Sequence, residues 1–362
     1  MEFSGSHILS IDQFSRSDVE KLFNIADSLE PYSSKNKVTR VLEGAILGNM
    51  FFEPSTRTRI SFGASFNLLG GNVREITEVG SSSLAKGESL VDTAKVLSGD
   101  SDIIVMRHPE EGSVQKFAEA SRVPVINGGD GANEHPSQAL LDLYTIGKEL
   151  SQNNKSIDGL RIALVGDLKF GRAVHSLCKI LSLYSDITIN LISPKELKLP
   201  ENLVKQLAKS NIKLHETENL EEGISEVDII YVTRIQEERF KDKKDAKRYK
   251  GLMTLNQSIY TANCEPNTVI MHPLPRDSRS DANELDSDLY ENPNLAIFRQ
   301  ADNGVVIRMA LFALVLGVED QVDKNSKPVN WKINRDLYGQ LLNLELNHLK
   351  TQFLQKASPI HH

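Results

Sequence analysis

The stretch Phe51-Phe52-Glu53-Pro54-Ser55-Thr56-Arg57-Thr58-Arg59 decides how the rest of the chain is read. It follows an apolar run, Ala45 to Phe52, that reads as a buried strand, and it precedes Phe62, Phe66 and Leu69 at helical spacing. The pattern is strand, tight turn, helix. Pro54 and Ser55 stand where the helix begins, so Ser55, Thr56 and Thr58 offer hydroxyls beside backbone N–H groups that have no intrahelical partner. A helix dipole adds only about 0.3–1 kcal/mol to holding an anion, so it cannot grip a phosphate alone. Arg57 and Arg59 add charge, and guanidinium matches phosphate oxygens two at a time. The plainer reading is a capped helix followed by two solvated arginines.

Working outward, 362 residues suggest two domains with substantial cores, and 40% hydrophobic and 25% charged residues are ordinary for a globular chain. A net charge of -7 argues against a general nucleic-acid binder, so basic residues at the motifs act locally. Cys178 and Cys264 stand alone, which makes structural zinc or a disulfide framework an unsuitable reading, and no metal ligand set or cofactor fingerprint stands out. No run approaches the roughly 18 apolar residues of a membrane span, and Met1 to Phe14 lacks a leader pattern, so a cytoplasmic location without membrane attachment is the expectation.

The spacing predicts a helix over Ser15 to Glu30, a strand at Asp102 to Met106 delivering Arg107, and a strand at Val123 to Asn127 leading into the glycine-rich run Gly128 to His135. Ligands of α/β sheets bind at the carboxyl ends of strands, which places Arg107 for chemistry. Ala139 to Leu150 reads as a helix crossing to a second domain, and the polar stretch Ser151 to Ser156 marks the boundary. Leu160 to Val165 is a strand ending in Gly166-Asp167-Leu168-Lys169-Phe170-Gly171-Arg172, without the glycine fingerprint of a dinucleotide site. Further strands are read at Asp186 to Ile192, Lys213 to His215 and Asp228 to Thr233, the last delivering Arg234 and Gln236. The charged run Lys241 to Lys250 reads as a solvated face or a mobile closing loop. Two prolines brace the turn His272-Pro273-Leu274-Pro275, with Leu274-Pro275 a candidate cis peptide. Ile297 to Gln300 leads into Asn303-Gly304 and a helix over Val305 to Leu316. Beyond Glu319, Asp323 to Asn330 is read as a polar linker, and Leu337 to Phe353 as one amphipathic helix that docks on its own subunit or on a partner.

The opening stretch resembles the carbamoyl phosphate site of the transcarbamoylases, and the later turns narrow the likeness to the aspartate transcarbamoylase catalytic chains, over about Ile8 to Glu319. The resemblance implies an α/β fold of two similar-sized doubly wound parallel-sheet domains joined by crossing helices. Residues 1–150, completed by a returning helix at 304–319, would bind carbamoyl phosphate; residues 151–303 would bind aspartate; residues 320–362 would form a carboxyl-terminal extension. Ser55, Thr56, Arg57, Thr58, Ser82, Lys86, Arg107, His135, Gln138, Leu274 and Pro275 match the carbamoyl phosphate contacts. Lys86, Arg172, Arg234, Gln236 and Leu274 match the aspartate contacts, and Thr58, Lys86, Arg107 and His135 the catalytic set. Ser-x-x-x-Lys-Gly-Glu, here Ser82 to Glu88, is by composition a surface loop; in the family it is lent to a neighbouring subunit, which implies a homotrimer with shared sites.

The implied reaction is carbamoyl transfer from carbamoyl phosphate to L-aspartate, a step towards pyrimidines, with no cofactor. A separate regulatory chain or another pyrimidine-pathway chain is a further possible partner. Ornithine transcarbamoylase is the rival within the enzyme class, but it carries a His-Cys-Leu-Pro turn and a Ser-Met-Gly segment for a cationic side chain. This chain has His272-Pro273-Leu274-Pro275 and Arg234-x-Gln236 there. An inactive scaffold paralogue would be expected to have lost ligands, and a dinucleotide oxidoreductase lacks its glycine motif.

Overall fold

The computed structural model describes residues 1–77, 86–240, 242–279 and 282–331. The chain opens with α1 (Arg16–Ser33), capped reciprocally by Ser15 and Asp18 and burying Val19, Leu22, Ala26 and Leu29. A short strand, β1 (Lys37–Thr39), precedes β2 (Ile46–Phe51), α2 (Thr56–Leu68) and β3 (Asn72–Thr77). Then come α3 (Leu90–Leu97), β4 (Ile103–His108), α4 (Ser113–Ala120), β5 (Val125–Asp130) and α5 (Pro136–Ser151). The inner strands β2 and β4 are short, mainly apolar runs because both faces of the sheet are covered there, whereas the edge strand β3 carries Arg74 and Glu75 and buries none of its residues.

The first sheet is parallel with order β3-β2-β4-β5. The chain therefore leaves β2 in one direction to reach β3 and crosses back to reach β4. Such a reversal opens a crevice at the carboxyl ends of the two strands on either side of it. Phe51 on β2 stands in register with Arg107 on β4, so the turn at Glu53 to Thr58 and the Arg107 side chain leave the sheet together.

The second half repeats the design. It contains β6 (Arg161–Val165), α6 (Arg172–Leu181), β7 (Thr188–Ile192), α7 (Glu201–Ala208), β8 (Lys213–Thr217), α8 (Leu220–Gly223) and β9 (Ile229–Val232). It continues through α9 (Lys243–Ala246), α10 (Gln257–Asn263) and β10 (Val269–Met271). The order β10-β9-β6-β7-β8 reverses between β6 and β9, where Val165 is in register with Val232. The Gly166 turn and Thr233-Arg234 therefore emerge side by side. The fold is thus the expected α/β pair of doubly wound parallel sheets, and α11 (Ile297–Val315) packs on α1, α2 and α5 and touches β10. One apolar core runs through both halves, from Phe66 and Ile126 through Leu140 and Phe312 to Leu164 and Tyr231.

Two expectations change. The helix expected from Val305 starts earlier: α11 already begins at Ile297, with Asn303 donating to Thr145 Oγ1 at 3.0 Å and Gly304 buried inside the helix. A glycine costs about 1 kcal/mol in a helix interior, so it reads as a stop unless packing requires its missing side chain. The segment after Glu319 is also not a free linker. β11 (Ser326–Pro328) pairs antiparallel with β1, Tyr32 Oη donates to Asp323 at 2.7 Å, and Thr39 Oγ1 donates to the Val322 carbonyl at 3.0 Å. These bonds hold residues whose polar composition alone gives no reason for order. Leu337 to Phe353 lies outside the described residues. No single helix among the described residues is long and apolar enough to cross a membrane.

Candidate active site

Both reversal points open on one cavity of about 960 Å³, lined from the first half by Glu53 to Thr58, Arg107, His135 and Gln138, and from the second by Arg172, Arg234, Gln236, Leu274 and Pro275. Helix α2 begins there with Ser55 at its N-cap position, and the Ser55 side chain makes no capping hydrogen bond. The first-turn N–H groups and the hydroxyl are thus left for another acceptor. Arg57 lines the cavity with its side chain exposed, and has no hydrogen bond or ion pair among the described residues. Partial desolvation, then the neighbouring Arg234 charge, pulls its pKa below the ordinary arginine value. Arg59 does not line the cavity; it lies 3.9 Å from Glu75 on β3. Two residues apart on a helix, Arg57 and Arg59 point to different sides, so the anion turn uses one of them.

Glu53 organises the positive charges. Its Oε2 accepts from Arg107 Nε at 2.8 Å and Arg172 at 3.0 Å, and its Oε1 accepts from Arg239 at 2.7 Å. Burial pushes the Glu53 carboxyl up, but Arg172, Arg107 and Arg239 outweigh this and hold it below the usual range. Arg107 is pulled down to about 10, by burial first and then by Arg172, against the opposing pull of Glu53. Arg172 and Arg239 both donate to the Gly131 carbonyl, at 2.6 and 3.0 Å. These bonds join the second sheet's arginines to a turn of the first.

The Gly166 turn is tied to the next strand end by Asp167, which accepts from the Phe170 and Gln236 N–H groups at 3.0 Å each. Arg234 pairs with Glu238 through both guanidinium nitrogens. Leu274 has φ 55 and a cis bond to Pro275; its N–H donates to His272 Nδ1 at 2.8 Å, and His272 Nε2 meets Glu284 at 2.8 Å.

His135 is buried, and neither ring nitrogen has a hydrogen-bond partner among the described residues. Burial first, and then Arg172, Arg107 and Arg308, hold its pKa well below the ordinary histidine value, so the ring is neutral at pH 7. The Gln138 amide donates to Asp142 at 2.8 Å, and Asp142 also accepts from Gln300 at 2.6 Å and Tyr231 at 2.6 Å. With Nε2 directed to Asp142, the Gln138 oxygen is the atom left to accept from a ligand amide.

Lys86 is exposed and does not line this cavity, and Ser82 lies outside the described residues. Glu53, Glu238, Arg239, Gln300 and Arg308 line the cavity without having been singled out from sequence. Glu53 stood inside the quoted motif and Arg239 next to Glu238 after a strand end, so both had a positional signal. Arg308, inside an apolar helix, had none beyond being a charge among Val306, Ile307, Met309 and Ala310.

Known proteins share this plan. Residues 6–148 match the family described as aspartate/ornithine carbamoyltransferase, carbamoyl-P binding domain, and residues 158–315 match its Asp/Orn binding domain. The aspartate carbamoyltransferase catalytic subunit of Saccharophagus degradans is 67% identical over 335 residues, covering 92% of this chain and 99% of that one. The corresponding subunit of Cellvibrio japonicus is 66% identical, covering 91% and 98%. Aspartate transcarbamoylase from Trypanosoma cruzi, solved with carbamoyl phosphate and aspartate, is 36% identical with a TM-score of 0.80, covering 87% of this chain and 98% of that one. With both halves matched in order and nearly the full length of these relatives spanned, the chain belongs to the aspartate/ornithine carbamoyltransferase family.

Proposed function

We infer that the protein transfers the carbamoyl group of carbamoyl phosphate to L-aspartate, giving N-carbamoyl-L-aspartate and phosphate, an early step of pyrimidine biosynthesis. The observation that carries this reading is the charge of the cavity: six arginines line it against two glutamates. Such a site suits a phosphate at one end and carboxylates at the other, and repels the cationic side chain of ornithine.

The free N-terminus of α2, with Ser55, Thr56, Arg57 and Thr58, and Arg107 beside it, suits the phosphate; Gln138 and the Leu274-Pro275 turn suit the carbamoyl amide; Arg172, Arg234 and Gln236 suit aspartate. Thr58, Arg107 and neutral His135 supply donors to the carbamoyl oxygen. As the aspartate nitrogen adds to the carbamoyl carbon, that oxygen becomes negative, and one such donor is typically worth on the order of 3 kcal/mol. The carbon–oxygen bond to phosphate then breaks, its electron pair leaves on phosphate, and phosphate accepts a proton from the amine. Holding two reactants in line contributes roughly 7–11 kcal/mol more. Movement of the 241–250 run over the cavity is the closing step.

Ser82 and Lys86 complete the site from a neighbouring subunit of a homotrimer, Lys86 contacting both substrates. Two features support this: Lys86 is exposed and outside its own cavity, and Val91 and Val96 on the following helix α3 are 42% and 59% exposed. Carbamoyl transfer is measured with L-aspartate and, in parallel, with L-ornithine. Turnover with aspartate alone is expected; turnover with ornithine overturns the reading of the second half.

A further inference from the structure

Arg308 is a charge that the substrate contacts above do not use. It lies within α11, 3% exposed, in a segment otherwise built of buried apolar side chains, and it lines the cavity. Its guanidinium donates one hydrogen bond, NH1 to Ser61 Oγ at 2.9 Å, and rests 4.9 Å from the centre of the Phe62 ring. Its Nε has no partner, and no carboxylate pairs with it among the described residues. Asp142 is the carboxylate whose field acts on it, but Asp142 takes its hydrogen bonds from Gln138, Gln300 and Tyr231. A buried guanidinium without an ion pair is costly unless an anion comes to it.

The fold makes room for this charge. Gly304 stands one helical turn before Arg308, and a Cβ there would overlap the guanidinium while also touching Leu141 at 3.2 Å. Here is the packing requirement that places a glycine inside a helix. Ser61, the tether, follows Thr58 on the same face of α2, and the field of Arg308 reaches His135. Arg308 therefore lines the same cavity as Thr58 and His135, the two residues proposed above to donate to the carbamoyl oxygen.

We propose that Arg308, given room by Gly304 and held by Ser61, is a further transition-state charge of the carbamoyl transfer, stabilising the oxyanion that forms on the carbamoyl oxygen. This rests on the reaction proposed above. The charge is fixed before substrate arrives, so it acts without reorganisation when the carbonyl becomes an alkoxide.

The test compares wild type, Arg308→Met, Arg308→Lys, Gly304→Ala and the Gly304→Ala/Arg308→Met double variant in one carbamoyl transfer assay. An inactive wild type refutes the reaction itself; an active wild type isolates the question of Arg308. Arg308→Met is expected to lower kcat about 10²- to 10³-fold. Binding of N-(phosphonacetyl)-L-aspartate, whose planar carbonyl carries no developing charge, should change less than about threefold. Arg308→Lys should recover at least about tenfold of the lost kcat. Gly304→Ala should lower kcat on its own yet add nothing to Arg308→Met, because both act through one group. An unchanged kcat in Arg308→Met, or equal losses in kcat and analogue binding, overturns the proposal. If Arg308→Met does not fold, Arg308→Lys and Gly304→Ala carry the decision: normal kcat in Gly304→Ala counts against it.

Discussion

Asp142 accepts hydrogen bonds from three side chains that come from separate elements: Gln138 on its own helix α5, Gln300 on α11 and Tyr231 on β9. Burial pushes its carboxyl up to about 6, against the pull of Tyr231, Gln300, Gln138 and Arg308. The folded state thus keeps this proton in a range where the unfolded chain has lost it. Its contribution to stability is complete below about pH 4 and is lost as pH rises through about 6. Asp142→Asn should remove this slope, on the order of 1 kcal/mol between pH 5 and 7. Chemical denaturation of both proteins at the two pH values checks it; identical pH dependence would show that Asp142 does not titrate there. At this scale much of the cavity lining was readable, because Arg107 and Arg234 stand at strand ends and Arg172 opens the helix that follows one, where α/β sheets place ligands. The partners were not. Glu53 receives arginines 54, 119 and 186 residues away, and no local pattern encodes a contact between two sheets.

At the scale of the element, three α-helices among the described residues have serine at the N-cap position, and they differ. Ser15 on α1 accepts from the Asp18 N–H and Ser89 on α3 from the Asp92 N–H, whereas Ser55 on α2 makes no such bond. A capping serine is worth about 1 kcal/mol, typically within 0.5–2. Ser15→Ala should therefore lower stability by about that amount and leave the Michaelis constant for carbamoyl phosphate unchanged. Ser55→Ala should do the reverse, raising that Michaelis constant roughly tenfold through a lost charge-assisted bond while stability stays within about 0.5 kcal/mol. Thermal melts and substrate titrations on the two variants settle it; a large stability loss in Ser55→Ala would show that its hydroxyl serves the helix and not a ligand. Most strands and helices were legible because their apolar periods match the elements they form. The exceptions have physical causes. α11 runs through Gly304 because Arg308 occupies the space a side chain would take, and β11 forms because β1 offers a partner strand 287 residues upstream of Ser326, at Thr39.

Over the whole molecule, the cavity holds donors for phosphate, carbamoyl and carboxylate, while Lys86 remains outside and exposed. On the trimer proposed above, each site combines the Arg57 of one subunit with the Lys86 of its neighbour. That geometry has a countable consequence. Arg57→Ala and Lys86→Ala homotrimers should each be inactive, since every site lacks one group. When the two are dissociated, mixed in equal amounts and reassembled, any trimer containing both types has one site with both native groups. Random assembly puts about three quarters of trimers in that class, each with one good site in three, so about a quarter of wild-type activity should return. Sites built within single chains give none, since every chain still carries a defect. The outcome is read as activity in hybrids separated by charge, and a silent hybrid would confine each site to its own subunit and require Lys86 to act elsewhere.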